Sequence, residues 1–266
     1  MRSVTLMLIT VWGQNSTAHT DIEVQIEIVT QELNSRPNDY SLYLVRGELK
    51  RQSQDWLGAE ADFERAEQLG SADVHNQLNL YRGRLFHEAG QAQRAVAELD
   101  TYIAHNPEHI DALLVRARAH AQMDAFDAAI SDYTRLIALH AARSPELWLE
   151  RARLWMEIGH IDNAIASIDD ATEFFGPLVT LVEFAIDAEI GRQDYAAALD
   201  RMQKLPLVLA ETPEWLSRRG KLLELLGRSD DAAHAFARAR QTILKMPLHR
   251  QKTAAMQQLL STLGTP

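Results

Sequence analysis

Cysteine is absent from the 266 residues of this sequence. Its absence excludes a disulfide framework, a thiol nucleophile and a lipid-anchored cysteine, and it is compatible with an oxidising compartment. Long apolar runs are missing as well. The apolar run at Val4–Trp12 is too short to cross a bilayer. We therefore predict no transmembrane segment.

The sequence also lacks the patterns that mark strands, linkers and common catalytic sites. Alternation of apolar and polar residues with a period of two persists nowhere, whereas helical periodicity does. No low-complexity tract and no long linker rich in proline, glycine or serine interrupts it. HExxH, GxSxG and a glycine-rich phosphate loop are all missing. These absences favour an all-α protein without a catalytic site.

The charge balance is acidic. The formal net charge is −10, which argues against general affinity for nucleic acid because such affinity rests on a basic surface. Apolar residues make up 46% and charged residues 24% of the chain, proportions that are normal for a soluble domain.

Against these absences stands a regular spacing of alanines. Six of them follow one another at intervals of 36, 34, 35, 34 and 34 residues, at Ala59, Ala95, Ala129, Ala164, Ala198 and Ala232. Twelve residues before each alanine, except the fifth, stands a small residue: Gly47, Gly83, Ala117, Ala152 and Gly220. Four residues after each alanine stands a large side chain: Phe63, Leu99, Tyr133, Ile168, Met202 and Phe236. A period in the mid-thirties indicates a stack of helical repeats.

The first unit shows why this pattern forms helix pairs. We predict one helix at Tyr43–Gln52, a break near Ser53–Asp55 and a second helix at Trp56–Leu69. Gly47 and Ala59 then lie where the two antiparallel helices cross closely. Turn-compatible residues recur at the corresponding break of the later units: Gly90, Asp124, Gly159, Gln193-Asp194 and Gly227. A single pair cannot bury its apolar face alone, so each unit needs neighbours.

This pattern resembles the tetratricopeptide repeat family, whose aromatic position is matched by Tyr43, Trp148 and, one residue out of register, Trp215. The resemblance implies an all-α, right-handed superhelical solenoid of about six antiparallel helix pairs. We place the array at 40–246, with units at about 40–73, 76–109, 110–143, 145–178, 179–212 and 213–246. The fifth unit departs from the pattern, with Ile186 and Glu189 where a small residue and an aromatic are usual.

Capping helices are expected at both ends, because an open end of a solenoid exposes apolar surface. At the amino end we predict a cap over 19–39, with an amphipathic helix at Asp21–Ser35. At the carboxyl end we predict a cap over 247–266, with a helix at Gln251–Leu263. Apolar residues of this last helix should cover the last pair: Met256, Leu259, Leu260 and Leu263.

The first 18 residues have the layout of a secretory signal peptide. Arg2 supplies a positive charge, Val4–Trp12 the apolar run, and Ser16-Thr17-Ala18 the small residues before a cleavage site. We expect an exported protein, periplasmic or secreted. The alternatives are a disordered leader or a start site chosen inside a longer gene, and these would leave the protein in the cytoplasm.

Titratable residues do not gather into a catalytic or metal-binding pattern. His105 and His109 are the only close histidine pair, but Pro107 lies between them, so we interpret the segment as a solvated turn. Neighbouring acids such as Asp230-Asp231 lie at a predicted helix start, where negative charge is favourable. We predict no catalytic residues, no cofactor and no metal site.

Arginine recurs immediately before the small residue of five units: Arg46, Arg82, Arg116, Arg151 and Arg219. In the first three units an acid follows sixteen residues later, on the facing helix. The offset predicts the ion pairs Arg46–Asp62, Arg82–Glu98 and Arg116–Asp132, because a guanidinium can engage a carboxylate through two hydrogen bonds. In the fourth unit Ser167 replaces the acid and leaves Arg151 to Asp169 or Asp170.

A second basic series follows the small residue, at Arg84, Arg118, Arg153 and Lys221. The family resemblance implies that this position lines the concave groove, so these side chains are our candidate partner-binding residues. A basic stripe suits an acidic peptide or a free carboxylate terminus. Alternatively, these arginines pair with acids four residues along, such as Glu88 and Glu157. Leu44 and Glu48 stand where the chaperone-tail clamp of some relatives has asparagine and lysine, so that function is not expected.

The sequence thus predicts a non-catalytic scaffold that holds a partner protein or an acidic peptide in its groove. Two alternatives stay open at this point. One is a self-assembling structural adaptor, and the other is a cytoplasmic, co-chaperone-like regulatory module.

Overall fold

A computed structural model describes residues 21–139 and 144–263. All regular secondary structure in these two ranges is α-helical, and the helices form consecutive antiparallel pairs. The predicted all-α array of helix pairs is therefore confirmed. The proposed signal peptide, residues 1–18, lies outside the described residues.

The chain divides into two compact units, one ending at Ala141 and the other starting at Ala142. In the first unit a lone helix, α1, covers 21–35. Three pairs follow: α2 and α3 (Tyr40–Gln52, Trp56–Leu69), α4 and α5 (Ala72–Glu88, Ala92–His105), and α6 and α7 (Ile110–Gln122, Phe126–Ala138).

The second unit contains the other three pairs. They are α8 and α9 (Glu146–Glu157, Ile161–Phe175), α10 and α11 (Val179–Gly191, Tyr195–Met202), and α13 and α14 (Pro213–Leu225, Ser229–Lys245). A single turn, α12 (Leu207–Ala210), lies between the fifth and sixth pairs, and α15 (Leu248–Gln251) and α16 (Ala254–Thr262) follow the last.

The turn inside each pair has the same backbone geometry. One residue of each turn has a positive φ, between 56° and 76°: Gln54, Gly90, Asp124, Gly159, Gln193 and Gly227. The next residue donates its backbone N–H to the carbonyl five residues back, as Asp55 does to Lys50 over 2.8 Å. This is the Schellman ending of a helix, in which a left-handed residue reverses the chain. The turn residues that the sequence singled out in the later units are the ones with this geometry.

The helix crossings are as close as the repeat pattern predicted. All six signature alanines are at most 1% exposed. A Cβ added to Gly47 would lie 2.5 Å from the ring of Phe63, and one on Gly220 would lie 2.3 Å from Phe236. In these pairs the large residue four places after the alanine therefore occupies the space that the glycine leaves open.

The fifth pair solves the same packing problem differently. Ile186, which replaces the small residue, is fully buried and shares one apolar cluster with Met202. Methionine is unbranched and flexible, so it can adapt to the larger partner. The second helix of this pair, α11, has only 8 residues. It ends shortly before Pro206, whose ring cannot be accommodated in a helix interior.

Both ends of the array are covered by single helices. Leu33 of α1 is buried, and Thr30 of the same helix accepts a hydrogen bond of 3.2 Å from Arg46. At the other end Met256 and Leu263 pack with Leu216 and Ile243 of the sixth pair. The predicted single helix from Gln251 is broken: Gln251 ends α15, and Thr253 caps the separate α16 through its hydroxyl.

Candidate functional site

The first arginine series forms two of its three predicted ion pairs. Arg46 donates hydrogen bonds of 2.9 and 2.6 Å to the two carboxylate oxygens of Asp62. Arg116 makes the same contact with Asp132 over 2.8 and 2.6 Å. Both acids are buried, and the paired carboxylates raise the pKa of each arginine. These arginines hold the two helices of a pair together and are not available to a partner.

The predicted pair of Arg82 with Glu98 is wrong. Arg82 instead donates two hydrogen bonds, of 3.1 and 2.7 Å, to Glu67 at the end of α3. Glu98 is left partly buried without this partner, and desolvation raises the pKa of its carboxyl group. Arg82 thus links its own pair to the preceding one.

The fourth and fifth pairs show two different solutions. Arg151 donates to the hydroxyl of Ser167 over 3.2 and 3.1 Å, and its guanidinium lies 4.0 Å from Asp170. Arg201 of α11 reaches Asp169 over 2.6 and 3.0 Å and the buried Glu189 over 3.1 Å. Glu189 therefore replaces the usual aromatic residue with an ion pair.

The second basic series does not form a uniform basic stripe, because Arg84 is paired with an acid. Arg84 donates from Nε to Asp111 of α6 over 2.6 Å, so it bridges two successive first helices. The alternative that it pairs with Glu88 is also wrong, because Glu88 accepts from Arg51 of α2. Arg118 is exposed. The pKa of His87 on α4 is lowered mainly by desolvation and next by the positive charge of Arg118.

The other two members lie in the second unit. Arg153 on α8 and Lys221 on α13 are both exposed. The equivalent residue of α10, between them in the array, is Asp187, and it forms an ion pair with Arg218 of α13. In the second unit an acidic side chain thus stands between the two basic ones at this position. Arg84 and Arg118 lie in the first unit and form one candidate set, and Arg153 and Lys221 lie in the second unit and form another.

Sequence reasoning missed a cavity on the same side of the first unit. It has a volume of about 410 Å³ and lies between α2 and α4, lined by Tyr40, Ser41, Leu44, Val45, Glu48, Leu49, Gln77 and Tyr81. Val45 is 49% exposed, and the ring of Tyr81 stacks on Phe63 with 5.7 Å between centroids. Val45 and Tyr81 both stand two residues before the small residue of their unit, as does Val115. This recurring apolar position was the sequence signal that could have indicated the cavity.

Within residues 21–139 and 144–263, no helix is long and apolar enough to cross a membrane. In the same ranges, no three histidine or acidic side chains come close enough together to hold a metal ion.

Comparison with known proteins agrees with this architecture. The tetratricopeptide repeat family model matches residues 44–111, 80–141 and 114–177, which together span half of the chain. The chain therefore belongs to the tetratricopeptide repeat family. Proteins of this family generally mediate protein–protein interactions, and the fold is typically a non-catalytic scaffold. No curated protein matches the sequence.

Solved structures with the same fold cover most of the chain. The C-terminal part of a repeat protein from Cytophaga hutchinsonii has a TM-score of 0.69 at 14% identity, over 88% of this chain and 95% of that one. A tetratricopeptide repeat protein from Parabacteroides merdae has a TM-score of 0.53 at 19% identity, over 94% of this chain and 95% of that one. A MamA protein has a TM-score of 0.54 at 14% identity, over 68% of this chain and 97% of that one. At these identities the likeness is one of fold.

Proposed function

We propose that this protein is a non-catalytic scaffold that binds an extended segment of a partner protein on the exposed face of α2, α4 and α6. The observation that carries the proposal is the cavity between α2 and α4. Its lining combines apolar side chains, among them Val45 and Tyr81, with a small number of polar groups such as Glu48 and Gln77. Ligand sites commonly have this composition, and the volume of about 410 Å³ lies within their usual range.

The charges beside the cavity suggest the chemistry of the segment. Tyr81 and Arg84 are three residues apart on α4 and therefore share a face of that helix. Arg84 is held toward α6 by Asp111, and Arg118 is exposed on α6. A segment with an apolar side chain in the cavity and an acidic side chain one or two residues away would contact both features. This narrows the acidic peptide expected from the sequence to one that also carries an apolar anchor.

The test is a capture of partners from the native host, compared among three variants, two single and one double. Val45→Glu should abolish capture, since it places a charge in the apolar cavity. The double change Arg84→Gln, Arg118→Gln should weaken capture and reduce its salt dependence. Leu57→Glu is the matched control, because Leu57 is an aliphatic residue that is 82% exposed on a second helix, α3.

Circular dichroism must show equal helix content in all of the variants. Loss of the partner with Val45→Glu and retention with Leu57→Glu would support the face. Equal retention by both would place the partner elsewhere. The pair Arg153→Gln, Lys221→Gln distinguishes the second unit, since only a partner bound there would respond to it.

We further propose that the protein is exported, on the basis of the leader at residues 1–18. Sequencing of the amino terminus of the protein purified from its host tests this proposal. A mature chain that begins at His19 would support export, and retention of Met1 would oppose it.

A further inference from the structure

The short second helix of the fifth pair leaves space beside the sixth pair. Helix α11 has 8 residues, whereas the second helices of the other pairs have 13 to 17. Where it would have continued, the chain passes through Pro206 into α12. The result is a cavity of about 410 Å³, with an apolar wall that contains Leu199, Met202, Leu205, Leu207 and Ala210. Its polar lining residues are Gln203, Glu211, Arg219 and Arg228.

A second, smaller cavity of about 140 Å³ adjoins the first. It lies between α13 and α14 above three apolar residues, Leu216, Leu223 and Ala235. Its remaining lining residues are charged or titratable: Arg219, Arg228, Asp231, His234 and Arg238. Arg219 and Arg228 line both cavities, so the apolar space and the cationic space share a wall.

Arg219 is the member of this cluster that lacks an acid. It stands at the position that Arg46 and Arg116 occupy in their pairs, but the residue sixteen places later is Ala235 instead of an aspartate. Within the described ranges no hydrogen bond or ion pair engages its guanidinium, which is exposed. The guanidinium therefore offers planar N–H donors of the kind that match a carboxylate or phosphate.

The neighbouring arginines are already neutralised in part. Arg228 forms an ion pair of 2.6 Å with Asp231, and Arg238 forms one with Glu211. Three arginines and two acids leave one positive charge in the cluster, and that charge is on Arg219. One monovalent anion would complete the balance, and Arg228 and Arg238 would add further N–H donors at its edge.

We propose that these joined cavities bind a small amphiphilic anion, with its carboxylate or phosphate on Arg219 and its alkyl chain along Leu199, Met202 and Leu207. Both head groups present the oxygen pair that a guanidinium recognises, and the apolar wall excludes a bare inorganic anion as the best ligand. The site is separate from the partner-binding face, because it is built from α11 to α14 of the second unit.

The binding of four probes to the full chain, measured by isothermal titration calorimetry, tests the proposal. Octanoate and octyl phosphate carry both features, octanol lacks the charge, and inorganic phosphate lacks the alkyl chain. We expect at least one of the first two to bind at least ~10-fold more tightly than octanol, which lacks a charged group for the guanidinium, and than phosphate, which has no alkyl chain to bury. The tighter of the two identifies the head group.

Two variants, at Arg219 and Leu207, locate the site, and a third variant at an exposed cation is the control. Arg219→Gln should weaken the preferred probe at least ~10-fold. Lys245→Gln, at an exposed cation of α14 that lines neither cavity, should leave the affinity unchanged. Leu207 is 75% exposed and thus dispensable for folding, so Leu207→Ser should weaken the alkyl probes without affecting the helix content.

Three results would overturn the proposal. They are binding of octanol as tight as that of octanoate and octyl phosphate, an Arg219→Gln variant that binds like the wild type, and no detectable binding of either amphiphilic anion.

Discussion

Arg116 and Asp132 face each other across the third helix pair, joined by two hydrogen bonds of 2.8 and 2.6 Å. Asp132 is only 2% exposed, so removal of its charge would leave a mostly buried arginine with only Asp100 as a partner. We expect Asp132→Ala to lower the free energy of unfolding by about 3 kcal/mol. Urea denaturation measures this loss.

The control for this change is Glu98→Ala, at the equivalent position of the second pair. Because Arg82 donates to Glu67 and not to Glu98, this variant should stay within about 1 kcal/mol of the wild type. Equal losses in the two variants would show that the Arg116–Asp132 ion pair contributes no more to the free energy of unfolding than Glu98 does.

The raised pKa of Glu98 predicts a pH dependence of stability. Burial makes the folded state hold the proton more tightly than the unfolded state does. Stability from this group is therefore greatest below the unfolded pKa, near 4.3, and decreases as pH rises through the higher folded pKa. Glu98→Gln should raise the melting temperature at pH 7 and have little effect at pH 4. Thermal melts at the two pH values check this, and a larger gain at pH 4 would contradict it.

The close crossing in the first pair predicts a steric cost. In Gly47→Ala the new methyl group would start 2.5 Å from the ring of Phe63. Since that ring is fully buried, it cannot move aside freely, and we expect a loss of about 1–3 kcal/mol in chemical denaturation. Gly191→Ala is the control. Its Cβ meets nothing within 4 Å, and a helical alanine should stabilise by about 0.5–1 kcal/mol.

Substitutions in the turns distinguish the cost of backbone strain from the cost of steric contact. A Cβ on Gly90 also meets nothing within 4 Å, but its φ is +73°. Gly90→Ala should therefore destabilise by about 1 kcal/mol, although it has as much room as Gly191→Ala. Conversely, Gln54→Gly should be neutral or stabilising, because Gln54 has a φ of 64°. Melting temperatures of the three variants test the ordering.

The helix pairs were predictable from the sequence because their causes are local. A small residue, an alanine twelve residues later and a turn residue between them define one crossing, and the pattern recurs in register. The fifth unit was recognised as irregular from Ile186 and Glu189, but its solution was not. That solution depends on where α11 ends and on Arg201 reaching across to Glu189 and Asp169.

The ion-pair partners of the arginines were harder to predict, because some of them lie in neighbouring helix pairs. The offset of sixteen residues identifies the partners of Arg46 and Arg116, which lie in the facing helix of the same pair. It fails for Arg82, whose partner Glu67 belongs to the preceding pair. The offset of four residues likewise fails for Arg84, whose partner is Asp111 of the following pair. Long side chains can choose between two acids at similar range, and the choice depends on how successive pairs pack. The two cavities of about 410 Å³ likewise arise between successive pairs and have no single sequence motif.

The position that faces the first arginine series changes from pair to pair: Asp62, Glu98, Asp132, Ser167, Arg201 and Ala235. This variation bears on how similar repeats avoid joining the wrong partner during folding. If α7 paired with α10, Asp132 would face Ala185 and be buried without a cation. If α13 paired in this manner with α11, Arg219 would face Arg201, and like charges would repel. The variation at this position thus makes these two wrong pairings electrostatically unfavourable.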